Sequence, residues 1–447
     1  MDLWSAILSI VVVLPGVTFG ILATLWLLGC RPGEPIVSRL TSLTFFLLWL
    51  GLAALIWHLR STGGMSVVAS FGNWFAVEHY HFPLVLMADR LSLPFLTLTA
   101  VLSGLIGRFS ATYLHRERGF LRFFLLLHLF TFGSLLAFAA GSLDLLAAGW
   151  EIVGITSVLL ISFFHHRSPP VENSLYIFAV YRGCDVGLLV GIFLLHHWAG
   201  TASFAGGALP LTGKQSMMVG LLLLLAAAGK AAQVPFSGWL PRAMEGPTPS
   251  SAIFYGAISI HAGAYLLLRV QPVIAQSGWA SFCVILIGLV TAIHGAMVGR
   301  ASADAKTSLA YASLTQVGVV FIEIGLGWRW LAVSHILGHA CLRTLQFLRA
   351  PSMLHDYHKM QAVIGSESTS PEGHLRKLLP EKAQWWIYRW AMDRGHLDTI
   401  LERCFSGPLV WLSRSFAKLD RLGLEEPLLE RTERRLFLQD VSSQRNQ

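Results

Sequence analysis

"LLLLLAAAGKAAQVPFSGWLP", residues 221–241, starts as an apolar run of membrane-spanning type, sets Lys230 in its interior and follows it five positions later with Pro235. An ionisable group at that depth costs at least ~2.5–3.5 kcal/mol on insertion scales, which makes each one a candidate for function. Gly229 precedes the lysine, and Pro235 offers no backbone donor. Together they predict a helix broken near 230–241, and irregular backbone at membrane depth lines a cavity or lies buried in protein. "RAMEGPTPSS" then turns the chain, with Pro247 and Pro249 where the next span begins.

The rest of the chain has the same character. Of 447 residues, 54% are hydrophobic and 13% charged, and the apolar residues gather in runs of about 20, the length that crosses a bilayer. Segments 4–29, 87–107 and 278–299 are apolar on every face, which excludes a soluble helical protein. The fold class is therefore an all-α polytopic membrane protein. Eleven spans are expected, at 4–29, 37–59, 87–107, 121–140, 144–164, 174–197, 216–240, 248–269, 278–299, 304–327 and 330–350. The start, "MDLWSAILSIVVV", lacks a basic region and a cleavage site and reads as the first span.

Arginines and lysines concentrate at alternate turns, from Arg31 and Arg39 through Arg116, Arg167, Arg242 and Arg300 to Arg349. By the positive-inside rule those turns are cytoplasmic, with the N-terminus outside and the C-terminus inside. Three regions follow: 1–86, N-terminal spans and an external loop; 87–350, the core; and 351–447, a charged tail. Within the tail, residues 381–420 read as amphipathic helices on the bilayer surface or against a partner. The excess of basic residues near this end suits anionic headgroups or an acidic protein; nothing points to nucleic acid. The five cysteines show no ligand-like spacing. "HDYH" at 355–358 and the pairs at 165–166 and 196–197 are weak ligand patterns, so no metal site and no cofactor is expected in this chain.

Several further ionisable residues fall inside spans. They are Glu151, the Arg182 and Asp185 pair, His261, and His335, His339 and Arg343. The last three follow one another at i, i+4 and form one stripe on a helix face. Imidazoles titrate near neutral pH, so the stripe suits a proton relay; interhelical hydrogen bonding is the plainer alternative. Arg182 and Asp185, three apart, can neutralise one another, and Asp304 with Lys306 can pair at a span's end. Lys230 and Glu151 each stand alone in a span. If about 7 Å apart at an effective dielectric of 20 they would attract by roughly 2.4 kcal/mol, so that moving them apart would release a proton.

At these residues the sequence resembles the large antiporter-like subunits of respiratory complex I and of Mrp-type cation/proton antiporters, above all the subunit L branch. "ADRLSLPFLTLTAVLSGLIGRFSATYL", "GWEIVGITSVLLISFF", "YRGCDVGLL", "GKAAQVPFSGWLPRAMEGPTPSSA", "DAKTSLAYASLTQVG" and "SHILGHACLRTLQFL" match in collinear order across 88–350. The resemblance implies the antiporter-like fold. It also implies that Glu151 and Lys230 are the pair that gates proton movement, with His335 and His339 further along the path. In "SAIFYGAIS", Tyr255 stands where a histidine is usual, while His261 comes six residues later. Arg343 replaces the usual lysine, and an arginine does not readily give up its proton.

The family continues past the eleventh span into a second half-channel, whereas this chain passes into "RAPSMLHDYHKMQ". That truncated form is similar to the membrane component of bacterial DAB inorganic carbon accumulation complexes. The similarity implies a bacterial inner-membrane protein that is not itself an enzyme. It would conduct protons or sodium and energise CO2 hydration by a large cytoplasmic partner, a zinc protein related to carbonic anhydrases. The alternatives are an ion-translocating component of a respiratory or Mrp complex, and a non-conducting anchor.

Overall fold

The computed structural model describes residues 2–77, 80–204, 209–302, 304–364, 380–401, 403 and 407–420. Residues 1–395 form one compact unit and 396–447 a second. The first unit contains α1 (Leu3–Leu27), α2 (Glu34–Thr62), a hairpin of β1 (Ser66–Val77) and β2 (Tyr80–Asp89), α3 (Ser92–Tyr113), α4 (Phe120–Ala139) and α5 (Leu143–Ile161). There follow α6 (Ser168–Ala199), α7 (Gly213–Lys230), the short α8 (Trp239–Arg242) and α9 (Thr248–Ser251), and a π-helical turn over Ala252–Ala257. Then come α10 (Ser259–Arg269), α11 (Gln271–Ile274), α12 (Gly278–Ala301), α13 (Ala305–Gly325), α14 (Arg329–Ile364) and α15 (Glu381–Met392). In the second unit, α16 (Leu397–Leu401) and α17 (Gly407–Asp420) are described, and α17 exposes Trp411 and Phe416.

The segment Thr248–Arg269, comprising α9, the π turn and α10, is buried along its whole length and forms the axis of the first unit. A helix enclosed on every side must be apolar on every side; His261 and the terminal Arg269 are its only ionisable members besides Tyr255 and Tyr265. Helices α5, α7 and α13 pack on α10, and α3, α13 and α14 on the π turn. Helices α1, α2 and α12 sit outermost, each only a third buried over its most apolar stretch, with side chains such as Ile10, Leu47 and Phe282 turned outward. Helices α12 and α13 cross where a Cβ on Gly288 would stand 2.5 Å from the Gly318 carbonyl oxygen, a backbone approach that only glycine permits.

Among the described residues, nine helices are long and apolar enough to cross a membrane, rather than eleven. The expected seventh and eleventh spans are helical but are not among the nine. Helix α7 has 18 residues with lysines near both ends, and α14 carries His335, His339, Arg343 and Arg349. The expected span 216–240 stops being a helix at Lys230. The helical membrane fold is as expected, and part of the expected external loop is in addition the antiparallel hairpin, paired from Ser66 with Asp89 to Val77 with Tyr80. Residues 80–89 are strand, so the third span starts at Ser92 rather than 87. Val, Phe, Trp and Tyr fill the hairpin, the residue types that suit a pleated surface.

The hairpin is anchored at its inner end. Asp89 Oδ1 accepts the backbone N–H groups of Leu91 at 3.1 Å and Ser92 at 2.7 Å, closing the first turn of α3. Both carboxylate oxygens also accept from Arg269, at 2.6 and 3.1 Å. Burial raises the Asp89 carboxyl, but the Arg269 guanidinium and the Ser92 hydrogen bonds outweigh it and hold the group below the usual carboxylate range.

Candidate functional site

Lys230 is the last residue of α7 and is buried. The Ala231 N–H still donates to the Ala227 carbonyl at 2.9 Å, and beyond it other groups take over bonds that a continuing helix would have made. Trp239 Nε1 donates to the Gly229 carbonyl at 2.9 Å, and the Val234 N–H donates to Thr291 Oγ1 at 3.0 Å. Ala232 sits at φ 53°, left-handed for a residue with a side chain, a conformation costing about 1–3 kcal/mol and most often found at functional sites. Pro247 caps α9 and Pro249 lies in its first turn.

The lysine does not pair directly with a carboxylate among the described residues. Its Nζ donates to the Trp150 carbonyl at 3.3 Å and lies 4.4 Å from the Tyr181 ring centre and 4.8 Å from that of Trp150. Glu151, expected as its charge partner from another span, pairs with Arg182. The same guanidinium donates to Asp185 Oδ2 at 2.7 Å, and Trp150 Nε1 donates to Asp185 Oδ1 at 2.6 Å. Helix α6 causes this exchange, because it packs against both α5 and α7 and puts Arg182 beside Glu151. Two cations and two carboxylates therefore meet at one place, and their charges cancel when all are ionised.

A second group forms around the central helix. The His261 Nδ1 faces the Ala257 carbonyl, its Nε2 lies 3.0 Å from His339 Nδ1, and Arg343 Nε donates to His339 Nε2 at 3.3 Å. These contacts assign the tautomers. His261 must carry its proton on Nδ1 and His339 on Nδ1, so every N–H in the row Arg343, His339, His261 points toward Ala257. The stripe expected along α14 thus bends across to α10 after His339. His335 lies apart, its ring centre 6.4 Å from that of His339. It contacts Glu323 Oε1 at 2.9 Å and Gln316 Oε1 at 3.1 Å. With Nδ1 donating to Glu323, Nε2 is left to accept, which the Gln316 amide satisfies when its NH2 rather than its oxygen faces the ring.

Rings lead from the first group to the π turn that precedes His261. Tyr181 meets Trp239 edge-on at 5.2 Å, and Trp239 meets Tyr255 at 5.6 Å. Tyr255 belongs to the π turn, and its buried hydroxyl has no protein hydrogen-bond partner among the described residues. A π turn at a functional residue is a recurrent arrangement. Near the far end, a cavity of about 390 Å³ is lined by Arg300, Ser308, Thr315, Gln316 and Arg343, so it reaches the partners of both His335 and His339.

Sequence reasoning did not single out Glu323, Gln316, Trp150 or Tyr181. Glu323 has the signal that identified Glu151, a lone carboxylate inside an apolar run. A further pair on the same helices, Asp144 and His196, is hydrogen-bonded at 3.0 Å, and Tyr80 donates to Asp144 at 3.1 Å. Burial and the Asp144 charge push the Tyr80 hydroxyl up to about 12. That contact gives His196 a structural partner, while His165 approaches Arg122 at 3.0 Å. The side chains of 355–358 lie outside the described residues, and Asp304 caps α13 through the Thr307 N–H at 2.7 Å.

Comparison with known proteins bears on this arrangement. Residues 140–388 match the family described as NADH:quinone oxidoreductase/Mrp antiporter, TM. The chain belongs to that antiporter-like family. Residues 74–124 also match the N-terminal region of complex I chain 5. Subunit L of the NADH-quinone oxidoreductase of Mycobacterium tuberculosis is 37% identical over 281 residues, 62% of this chain and 44% of that protein. NADH-ubiquinone oxidoreductase chain 5 of Neurospora crassa is 31% identical over 74% of this chain and 46% of its own length. The antiporter-like chain thus spans about half the length of these relatives. Among solved structures, a chain of the Mrp complex from Dietzia sp. DQ12-45-1b superposes with a TM-score of 0.65 at 26% identity, covering 75% of this chain and 37% of that one. A chain of the archaeal membrane-bound sulfane sulfur reductase shares the fold, with a TM-score of 0.64 at 20% identity over 76% of this chain and 70% of that one.

Proposed function

We propose that the chain is the proton- or sodium-conducting membrane component of a two-component inorganic carbon uptake complex. In this reading the cation gradient energises one-way conversion of CO2 to bicarbonate by a soluble, zinc-bearing partner related to carbonic anhydrases. The observation that carries ion movement is the set of buried and half-buried ionisable groups that includes Glu151, Arg182, Asp185 and Lys230 at one place and His261, His339 and Arg343 at another. A proton reaching Glu151 loosens its hold on Arg182 and leaves the site with one positive charge in excess. That excess favours loss of a proton from Lys230, whose cage of rings and a carbonyl offers no compensating carboxylate contact.

Helix α14 supports the soluble partner. Its 36 residues extend for about 54 Å, well beyond the ~30 Å hydrocarbon layer. The segment "RTLQFLRAPSMLHDYH", 343–358, on which the likeness to the DAB membrane component rests, runs along this helix. The reading places the N-terminus outside and the C-terminus in the cytoplasm, where the partner waits.

Purification from native membranes tests the assignment. Recovery of a large zinc-containing soluble protein supports it, and loss of CO2-dependent growth rescue in Lys230→Ala with the complex still assembled supports coupling. Unchanged rescue by that variant would leave only an anchor. The relatives named as respiratory and Mrp proteins favour a second reading, ion translocation in such a complex; recovery of quinone-linked or Mrp proteins would establish it instead.

A further inference from the structure

A cavity of about 780 Å³ opens between α2, α3 and α14, away from the groups above. Its mouth carries Arg60, near the end of α2, and Arg90, just before α3; neither is paired with a carboxylate among the described residues. Trp330, at the start of α14, stands at the same mouth and is 55% exposed. Tryptophan beside arginine at the ends of spans marks the depth of lipid headgroups. Gly63 and Gly64 form the neighbouring rim, where Gly63 has open space instead of a side chain.

Inward the lining becomes apolar, with Leu98, Val101, Leu337 and Cys341. From Trp330 to Cys341 the groove runs roughly 16 Å along α14, about half of the ~30 Å hydrocarbon layer, which is the depth of one leaflet. Thr97 interrupts the wall with a buried hydroxyl that has no protein partner among the described residues. Two unpaired cations at headgroup level above a leaflet-deep apolar groove are complementary to a lipid that carries a phosphate and an acyl chain. A free anion would use only the mouth, and a zwitterionic lipid would bring its own cation against the two arginines.

We propose that this groove is a binding site for an anionic phospholipid, its phosphate held by Arg60 and Arg90 and one acyl chain lying against Leu98, Val101 and Leu337. Native mass spectrometry of the full chain, released from mixed micelles containing phosphatidylglycerol and phosphatidylcholine with identical acyl chains, tests it. At least five-fold preferential retention of phosphatidylglycerol is expected, abolished in Arg60→Gln/Arg90→Gln and kept in Arg60→Lys/Arg90→Lys. Val101→Trp, which fills the groove below intact arginines, should also remove the bound lipid. Millimolar inorganic phosphate should not displace it. Equal retention of the two lipids, or retention by the glutamine variant at the level of the unaltered chain, would overturn the proposal. Displacement by phosphate alone would make the mouth a free-anion site and overturn it as well. Monodisperse elution of each variant shows that a loss is not unfolding, and the lysine variant supplies the charge-retaining comparison.

Discussion

His261 Nε2 and His339 Nδ1 stand 3.0 Å apart, so the buried central helix and α14 are joined through two imidazoles while His335, on the same face of α14, turns to Glu323. This divides the two stripe histidines of α14, one joining His261 on the central helix and the other pairing with Glu323.

The division predicts unequal coupling. In proteoliposomes, His261→Gln and His339→Gln should each lower cation flux at least ten-fold, and the double variant should lose little more than either. His335→Gln combined with His339→Gln should come closer to multiplying its effects, since these two rings share no hydrogen bond and meet only edge-on at 6.4 Å. Equal non-additivity in both pairs would show that the row continues along α14 after all.

Arg182 holds Glu151 and the buried Asp185 together. Arg182→Gln leaves a buried carboxylate without its cation, a change that costs about 3–5 kcal/mol when fully buried and less here, where Arg182 and Glu151 are partly exposed. Thermal unfolding in detergent should show the loss, and Asp185→Asn in the same chain should recover much of it. No recovery would mean that the arginine is held for packing alone.

Gly229 faces α6 with Cys184 directly opposite, and a Cβ there would fall inside van der Waals contact with the Cys184 Cβ. Gly229→Ala should therefore destabilise by about 1–3 kcal/mol through overpacking and reduce flux by displacing Lys230. Cys184→Gly should restore much of both; Cys184→Ser, which keeps the Cβ, should not.

At the hairpin, Asp89 titrates lower in the folded chain than in the unfolded one. Its contribution is complete above about pH 4, the unfolded carboxylate range, and is lost as pH falls through the lower folded value. Protection of the Leu91 and Ser92 amides from hydrogen exchange, taken relative to the intrinsic rate at each pH, should be retained at neutral pH and lost only in that acid window. Asp89→Asn should exchange fast at every pH, because it leaves the buried Arg269 unpaired at a cost of about 3–5 kcal/mol.

Much of this architecture is legible in sequence because membranes punish charge. The rule that a charge inside a span serves a purpose finds Glu151, Lys230, Asp185 and the histidines without knowledge of the fold, and it applies equally to Glu323. It does not reveal partners. Arg182 and Asp185 are neighbours by spacing, but the contact from Arg182 to Glu151 depends on how α5 and α6 are rotated about their axes. Likewise, the turn of His339 toward His261 depends on a central helix whose apolar sequence looks like any other span. The hairpin escapes sequence reading for a different reason: strands of 12 and 10 residues beside a span carry a weaker periodic signal than a 20-residue apolar run.

The π turn over Ala252–Ala257 contains one residue more than an α-helix would use. The buried central helix therefore carries slack. If that extra residue passes along the helix by one position, the residue it passes swings by about 100° about the axis, while the flanking turns keep their places. Tyr255 and the Ala257 carbonyl, which now meet Trp239 and His261, can be re-aimed in this way without any span sliding through the bilayer. Such a helix can switch its connections by local winding alone, inside a bundle whose outer surface stays still.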